Sequence, residues 1–141
     1  MNVKQISVFL ENKPGYLFSM TKVLAEHRID MRAFSLAETS DFGIARLIVD
    51  DVLATATVLK EAGFVCSLTP VLAVAVPDVP GGLNQVLELL AADEVNVEYM
   101  YAFLSGQSAY MIFRVADVPR AAASLAASGI RLVSQDELSE L

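Results

Sequence analysis

The chain has 141 residues, 55% of them hydrophobic and 19% charged, with a formal net charge of −7. That length holds one ordinary domain or two very small ones, and the apolar content excludes a disordered or low-complexity polypeptide. Ten Lys and Arg, scattered through an acidic chain, exclude the basic cluster that nucleic-acid phosphates or an anionic membrane surface would require.

Residues 3–10, VKQISVFL, are β-branched and apolar and predict a strand. ENKPGYL, residues 11–17, breaks it, and Leu17, Met20, Thr21 and Leu24 then recur at helical spacing. Residues 31–38 and 44–49 read as two strands joined by the turn-rich TSDFG. A second helix is predicted over about 52–62, ending at Gly63, and a last strand over 64–69.

The same order then starts again. VPGGL, residues 79–83, punctuates a second strand-to-helix junction, and Leu83, Val86, Leu87 and Leu90 mark the helix. Tyr99, Tyr101 and Phe103 alternate along the next strand, which predicts sheet-face or interface packing. SGQS, residues 105–108, takes the hairpin position, and a further helix ends at Gly129. The acidic end, SQDELSEL, reads as a solvated tail.

Aligned 66 positions apart, the two halves match without a gap. Pro14 and Gly15 fall on Pro80 and Gly81, Leu24-Ala25 on Leu90-Ala91, Asp51-Val52 on Asp117-Val118, and Gly63 on Gly129. A register that survives through strands, turns and helices marks a duplication. Each copy has the order βαββαβ, the ferredoxin-like split unit of the α+β class. The expected domains are 1–69 and 70–141, their antiparallel sheets joined edge to edge with the helices on one face. Pairing edges in this way hides strands that would otherwise be exposed. Apolar neighbours on the other face, among them Ile44, Ile48, Tyr110 and Ile112, predict a homodimer.

The Pro-Gly corner has chemical content as well. Proline suits a position where a helix is about to start, glycine lets another group approach its backbone, and the first-turn N–H groups lack intrahelical partners. Such a junction is a small anion-accepting cradle that suits a carboxylate, though a tight turn alone would explain the same residues. His27, the single histidine, falls at a helix end, and Cys66, the single cysteine, on a predicted strand where a buried apolar role is the default. One His, one Cys and dispersed acids give no metal-ligand spacing and no nucleophile with a base, and no phosphate-binding glycine motif occurs. No metal or cofactor is expected. The lone cysteine, the absence of a secretory signal pattern and the absence of about 20 consecutive apolar residues predict a cytoplasmic protein.

ENKPGYLFSMTKVLAEHRIDM, followed by a strand, resembles the ACT domain, a small regulatory module that binds amino acids, and PDVPGGLNQVLELLAADEVNV resembles it in the same frame. The chain thus resembles a free-standing tandem ACT protein. The resemblance implies an effector amino acid held between two ACT units. Its loop residues would be Glu11, Asn12, Lys13, Pro14, Gly15 and Tyr16, with Leu17 opening the helix and Asn96 supplied from the neighbouring unit. A second, weaker site would combine Asp78, Val79, Pro80, Gly81, Gly82 and Leu83 with Asp30. Two aspartates brought together repel each other and a ligand carboxylate, whereas two asparagines serve either end of a zwitterion.

The function implied is a non-catalytic amino-acid sensor that regulates a metabolic enzyme. An alternative is the regulatory subunit of acetolactate synthase, which the first copy also resembles, although such subunits carry a dissimilar second domain. A small ferredoxin-like enzyme is the third class, with Glu11, Asp30, Asp78 and the tyrosines as its only acid–base candidates.

Overall fold

The computed structural model describes residues 3–141. The first copy runs through β1 (Val3–Glu11), α1 (Tyr16–Glu26), β2 (Met31–Glu38), β3 (Phe42–Val49) and α2 (Val52–Glu61). A single long strand, β4 (Val65–Pro77), carries the chain onward. The second copy continues with α3 (Gly82–Ala92), β5 (Tyr99–Ser105), β6 (Ser108–Arg114), α4 (Val118–Ala127) and the short β7 (Arg131–Leu132), and α5 (Gln135–Glu140) follows.

Two compact units result, one of Lys4–Thr69 with Leu138–Leu141, the other of Pro70–Glu137 with Val3. In the first, the strand order is β2-β3-β1-β4. Ile6 pairs with Leu47 and Glu11 with Phe42 between β1 and β3, and Phe34 pairs with Leu47 between β2 and β3, all antiparallel. In the second unit β5 pairs β6, β6 pairs β4, and β7 pairs β4 at Val74 and Ala75, again antiparallel. Both units therefore have the split βαββαβ order, and the chain is α+β.

The alternation of the strands explains the cores. Ile6, Val8 and Leu10 of β1 and Ala45, Leu47 and Val49 of β3 turn inward, and α1 and α2 cover them with Met20, Leu24 and Leu59. Leu72, Val74 and Val76 with Met111 and Phe113 form the matching layer of the second unit, under Val86, Leu90, Ala121 and Leu125. Met20 and Val86, Leu24 and Leu90, and Leu59 and Leu125 are equivalent positions of the repeat. Burying each such side chain contributes roughly 1.5–3 kcal/mol.

Local signals recur with the same fidelity. The Asp51 carboxylate accepts from the Ala54 amide at 3.0 Å and the Asp117 carboxylate from the Arg120 amide at 3.1 Å, capping α2 and α4. Arg28 and Glu94, again equivalent, both take left-handed backbone (φ 54° and 58°) where the chain leaves α1 and α3.

Three features depart from expectation. The acidic tail is not a solvated end, because α5 forms and Leu138 is fully buried. Arg32 donates to the carbonyls of Ser139, at 2.5 Å, and Leu141, and pairs with the Asp30 carboxylate at 3.1 Å, holding the tail on the first unit. Of the residues expected to leave an apolar sheet face open, Ile48 and Ile112 are fully buried and Tyr110 nearly so, its ring stacked on Phe103 at 5.1 Å; Ile44 alone is half-exposed. Cys66 is only half-buried, and desolvation pushes its thiol pKa up.

Candidate functional site

The β1–α1 loop and its copy between β4 and α3 are superimposable in their hydrogen bonds. Lys13 N–H donates to Glu11 carbonyl (2.9 Å), Tyr16 N–H to Lys13 carbonyl (3.3 Å) and Ser19 N–H to Gly15 carbonyl (2.9 Å). The equivalents are Val79 to Pro77 (2.9 Å), Gly82 to Val79 (3.1 Å) and Gln85 to Gly81 (3.0 Å). Each loop is also tied to its own hairpin, Asn12 N–H to Asp41 carbonyl and Asp78 N–H to Gln107 carbonyl.

Glycine is required at these corners by backbone conformation. Gly15 has φ 90° and Gly81 φ 89°, left-handed values that L residues adopt at a cost, and each is the N-cap of its helix. A Cβ at either would meet nothing within 4 Å. Within its own unit, then, left-handed backbone and not a neighbouring atom is what requires each glycine.

The cradle is narrower than the motif suggests. The amides of Lys13 and Tyr16 are already used in the turn, and Ser19 makes the first helical bond. Leu17 and Phe18 fall ahead of that bond, in the first turn, where helical N–H groups have no i−4 carbonyl to reach. These amides, at the positive end of the α1 dipole, are what the loop offers an anion.

On one side the first-copy loop borders a cavity of about 490 Å³, bounded by Glu11, Pro14, Gly15 and Tyr16 and by the α2–β4 turn at Gly63 and Phe64. Four of the residues singled out in sequence thus share one space. Glu11 is its charged group. Hydrogen bonds from Lys13 and Tyr16, and the Lys13 charge 3.2 Å away, hold its carboxyl below the usual carboxylate range, while Glu11 in turn raises the Lys13 pKa. Ser19, Phe64 and Val65 also line this cavity and escaped sequence reasoning. Ser19 lies one turn beyond the motif, and the other two lie about 50 positions away along the chain, joined to it only by the fold.

Asn12, Lys13 and Leu17 face the other side. There Asn12 Nδ2 donates to Glu38 Oε2 (3.0 Å) and to the Thr39 carbonyl (3.3 Å). The clasp leaves a hollow of only about 70 Å³ among Asn12, Leu17, Leu36 and Glu38. In the second copy the same place holds about 410 Å³, lined by Asp78, Val79, Gly81, Gly82 and Leu83 with Asn84, Leu87 and Met111; Pro80 does not line it. The residues account for the difference. Asp78 has no amide to donate, Leu104 replaces Glu38, and Ala102 replaces Leu36. Gly82 stands where the first copy has Tyr16, and a Cβ there would come within 3.1 Å of the Pro77 carbonyl.

Asp30 lies at the far end of the first unit's sheet from Asn12. Its carbonyl accepts from Asp50 N–H at 3.1 Å, and its carboxylate is taken up by Arg32. Asn96 borders a hollow of about 400 Å³ in the second unit, beside Glu94, Glu98, Asp117 and Arg120. Tyr99, Tyr101 and Phe103 pair across the sheet with Arg114, Ile112 and Tyr110, and none lines the second-copy cavity. His27 ends α1, its Nδ1–H donating to the Val23 carbonyl at 2.9 Å, as a residue in a last helical turn does. Among the described residues there is no group of three or more His, Cys, Asp or Glu arranged to hold a metal ion. No helix among them is long and apolar enough to cross a membrane.

Comparison with known proteins agrees with this architecture. Residues 1–141 match the family model described as an ACT domain pair. The crystal structure of protein BT0572 from Bacteroides thetaiotaomicron is similar with a TM-score of 0.95 and 38% identity, over 100% of this chain and 98% of that one. The ligand-free regulatory subunit of aspartate kinase from Thermus thermophilus shares the fold at TM-score 0.67 and 18% identity, over 89% and 90% of the two chains. Its counterpart from Thermus flavus does so at TM-score 0.64 and 17% identity, over the same shares. No curated protein matches the chain. A family model spanning the whole sequence, a relative at 38% identity over nearly all of both chains, and two βαββαβ units hydrogen-bonded alike at their loops lead to one assignment: the chain belongs to the ACT domain pair family.

Proposed function

We propose that the protein is a non-catalytic sensor of a free amino acid, and that the effector is held by the β1–α1 loop of the first copy. One observation carries the reading: the left-handed Pro-Gly corner, repeated in both copies, opens in the first onto a cavity of about 490 Å³ beside an ionised carboxylate. A zwitterion is complementary to both. We assign its ammonium to Glu11 and its carboxylate to the first-turn amides of Leu17 and Phe18, which follow the cavity-lining Tyr16, while Asn12 clasps the hairpin on the other side of the loop and holds the corner in place. Family resemblance puts an effector between two ACT units, so we propose Asn96 as the polar group contributed by the neighbouring unit. Residues 1–69 and 70–141 are the two copies in this reading.

The second copy is the weaker site. Asp78, Val79 and Gly82 replace Asn12, Lys13 and Tyr16, and Pro77 replaces Glu11, so the corner formed by Pro80 and Gly81 keeps its shape without the charge pattern. Asp30, proposed to complete it, adds a second negative charge. Binding then biases one packing of the units over another, which is how the module would regulate a metabolic enzyme, without a cofactor of its own. Exposed apolar side chains such as Phe42 (58%) and Leu104 (65%) support self-association as a homodimer. A cytoplasmic setting fits the single cysteine. Whole-chain ACT duplication disfavours the acetolactate synthase subunit, which carries a dissimilar second domain.

Calorimetry and thermal shift against the twenty amino acids test the proposal. Saturation at one amino acid per chain, abolished by Glu11→Gln, is expected; a ligand at 100 times its Kd adds about 2.7 kcal/mol of stability. Absence of heat and of any melting shift with all twenty would refute it.

A further inference from the structure

We infer that the effector is an amino acid with an uncharged, sizeable apolar side chain, branched or aromatic, seated in the first-copy cavity; this rests on the function proposed above. The walls beyond the loop carry the argument. Beyond Glu11 and the Pro14-Gly15-Tyr16 corner, the lining continues with Phe9, Leu10, Ala62, Phe64 and Val65. At about 490 Å³ the space is within the range of small-molecule sites, in which apolar walls surround a few polar groups that fix orientation.

Charge excludes the alternatives. Glu11 is the only charged residue among those lining the cavity, and Lys13, which neutralises part of its field, borders the hollow on the other side of the loop. An aspartate or glutamate side chain would sit near that carboxylate with no cation in the walls to meet it. A lysine or arginine side chain would compete with the ligand's own ammonium for the single acceptor, or lie unpaired against Phe64 and Val65. A small polar side chain would leave Phe9 and Val65, which are 47% and 66% exposed, as wet as they are in the free protein. An apolar side chain removes that surface from water, and this gain grows with its size.

Those two exposed residues also make the test clean, because replacing them leaves the core intact. Full-length protein is titrated by calorimetry with leucine, isoleucine, valine and phenylalanine, then with alanine, serine, aspartate, glutamate, lysine and arginine. One or more of the first group is expected to bind at least about tenfold tighter than alanine, the discrimination an apolar pocket gives over a chain shorter by a methylene or more. The double variant Phe9→Ser, Val65→Ser should lose at least about tenfold for that ligand and keep its unliganded melting temperature within a few degrees. Tighter binding of a charged or small polar amino acid would overturn the inference and leave the sensor reading standing. Unchanged affinity in the double variant would also overturn it, by removing the cavity from the site. Binding of none of the twenty would remove the sensor reading itself.

Discussion

Replacing Gly15 by alanine isolates one physical term. With φ 90° and ψ −16°, the residue sits in left-handed backbone, and a Cβ would meet no atom within 4 Å, so there is no clash to relieve. What remains is the intrinsic penalty of an L residue there, about 1–2 kcal/mol. Against it stands the smaller conformational freedom of alanine in the unfolded chain, which offsets roughly 0.4–1 kcal/mol. The net cost is therefore about 1 kcal/mol. For a unit of this size that is a fall in melting temperature of roughly 4–8 °C. The duplication supplies the control, since Gly81 has φ 89° and equally open surroundings. Gly81→Ala should cost the same to within about 0.5 kcal/mol, and the double variant the sum, because sites that share no partner add. Urea unfolding followed by circular dichroism measures all three. Equal stability of Gly15→Ala and the parent would refute the strain argument, and a large difference between the two single variants would refute the equivalence of the corners.

Other perturbations read other parts of the structure. Leu138→Ala should destabilise by about 2–5 kcal/mol despite its place in the tail, since the side chain is fully buried; urea unfolding checks it. Arg32→Met should free the Ser139 and Leu141 carbonyls and accelerate amide exchange across residues 138–141 well beyond that of the β3 core. Arg28→Gly and Glu94→Gly relieve left-handed backbone at φ 54° and 58° and should each be neutral to stabilising, by up to about 1 kcal/mol in a thermal melt. The Glu11 pKa is lowered in the folded loop, so the contribution of its ionised form is complete above the ordinary carboxylate value of 4.5 and is lost as pH falls through the depressed one. Effector affinity should hold from neutrality down to about that value and fall below it, and Lys13→Ala should move the fall to higher pH, as a calorimetric pH series would show.

The duplication made most of the fold legible. A 66-residue register fixed the elements twice over, and the aspartate caps at Asp51 and Asp117 fall where sequence alone puts helix starts. The continuous β4 was hidden because the last strand of one copy and the first of the next have no turn between them; Pro70, which lacks an N–H, is the only mark of the junction. Docking of the tail was hidden for a different reason. Two leucines among acids, Leu138 and Leu141, are too few to show a periodicity, and the carbonyls that Arg32 holds carry no side-chain signature. The loop residues of the candidate site could be read because they are consecutive. Its far apolar wall could not, since Ala62, Phe64 and Val65 come from a turn about 50 residues further along the chain, brought to the corner by the fold.

Divergence between the copies bears on function more than their likeness does. The backbone of the corner is preserved to the last turn hydrogen bond, so selection for a tight turn alone would be satisfied in both. The side chains around it are not preserved together. Where the first copy has Glu11, Asn12, Lys13 and Tyr16, the second has Pro77, Asp78, Val79 and Gly82, and every ion pair and side-chain hydrogen bond described for the first loop has lost a partner. The clasp from Asn12 to the hairpin is among them, and its counterpart region stands open by about 410 Å³ instead of 70. A purely structural element has no use for a charge pattern at one corner and its absence at the other. A site that must hold both ends of a zwitterion does, and it needs that pattern only once per chain.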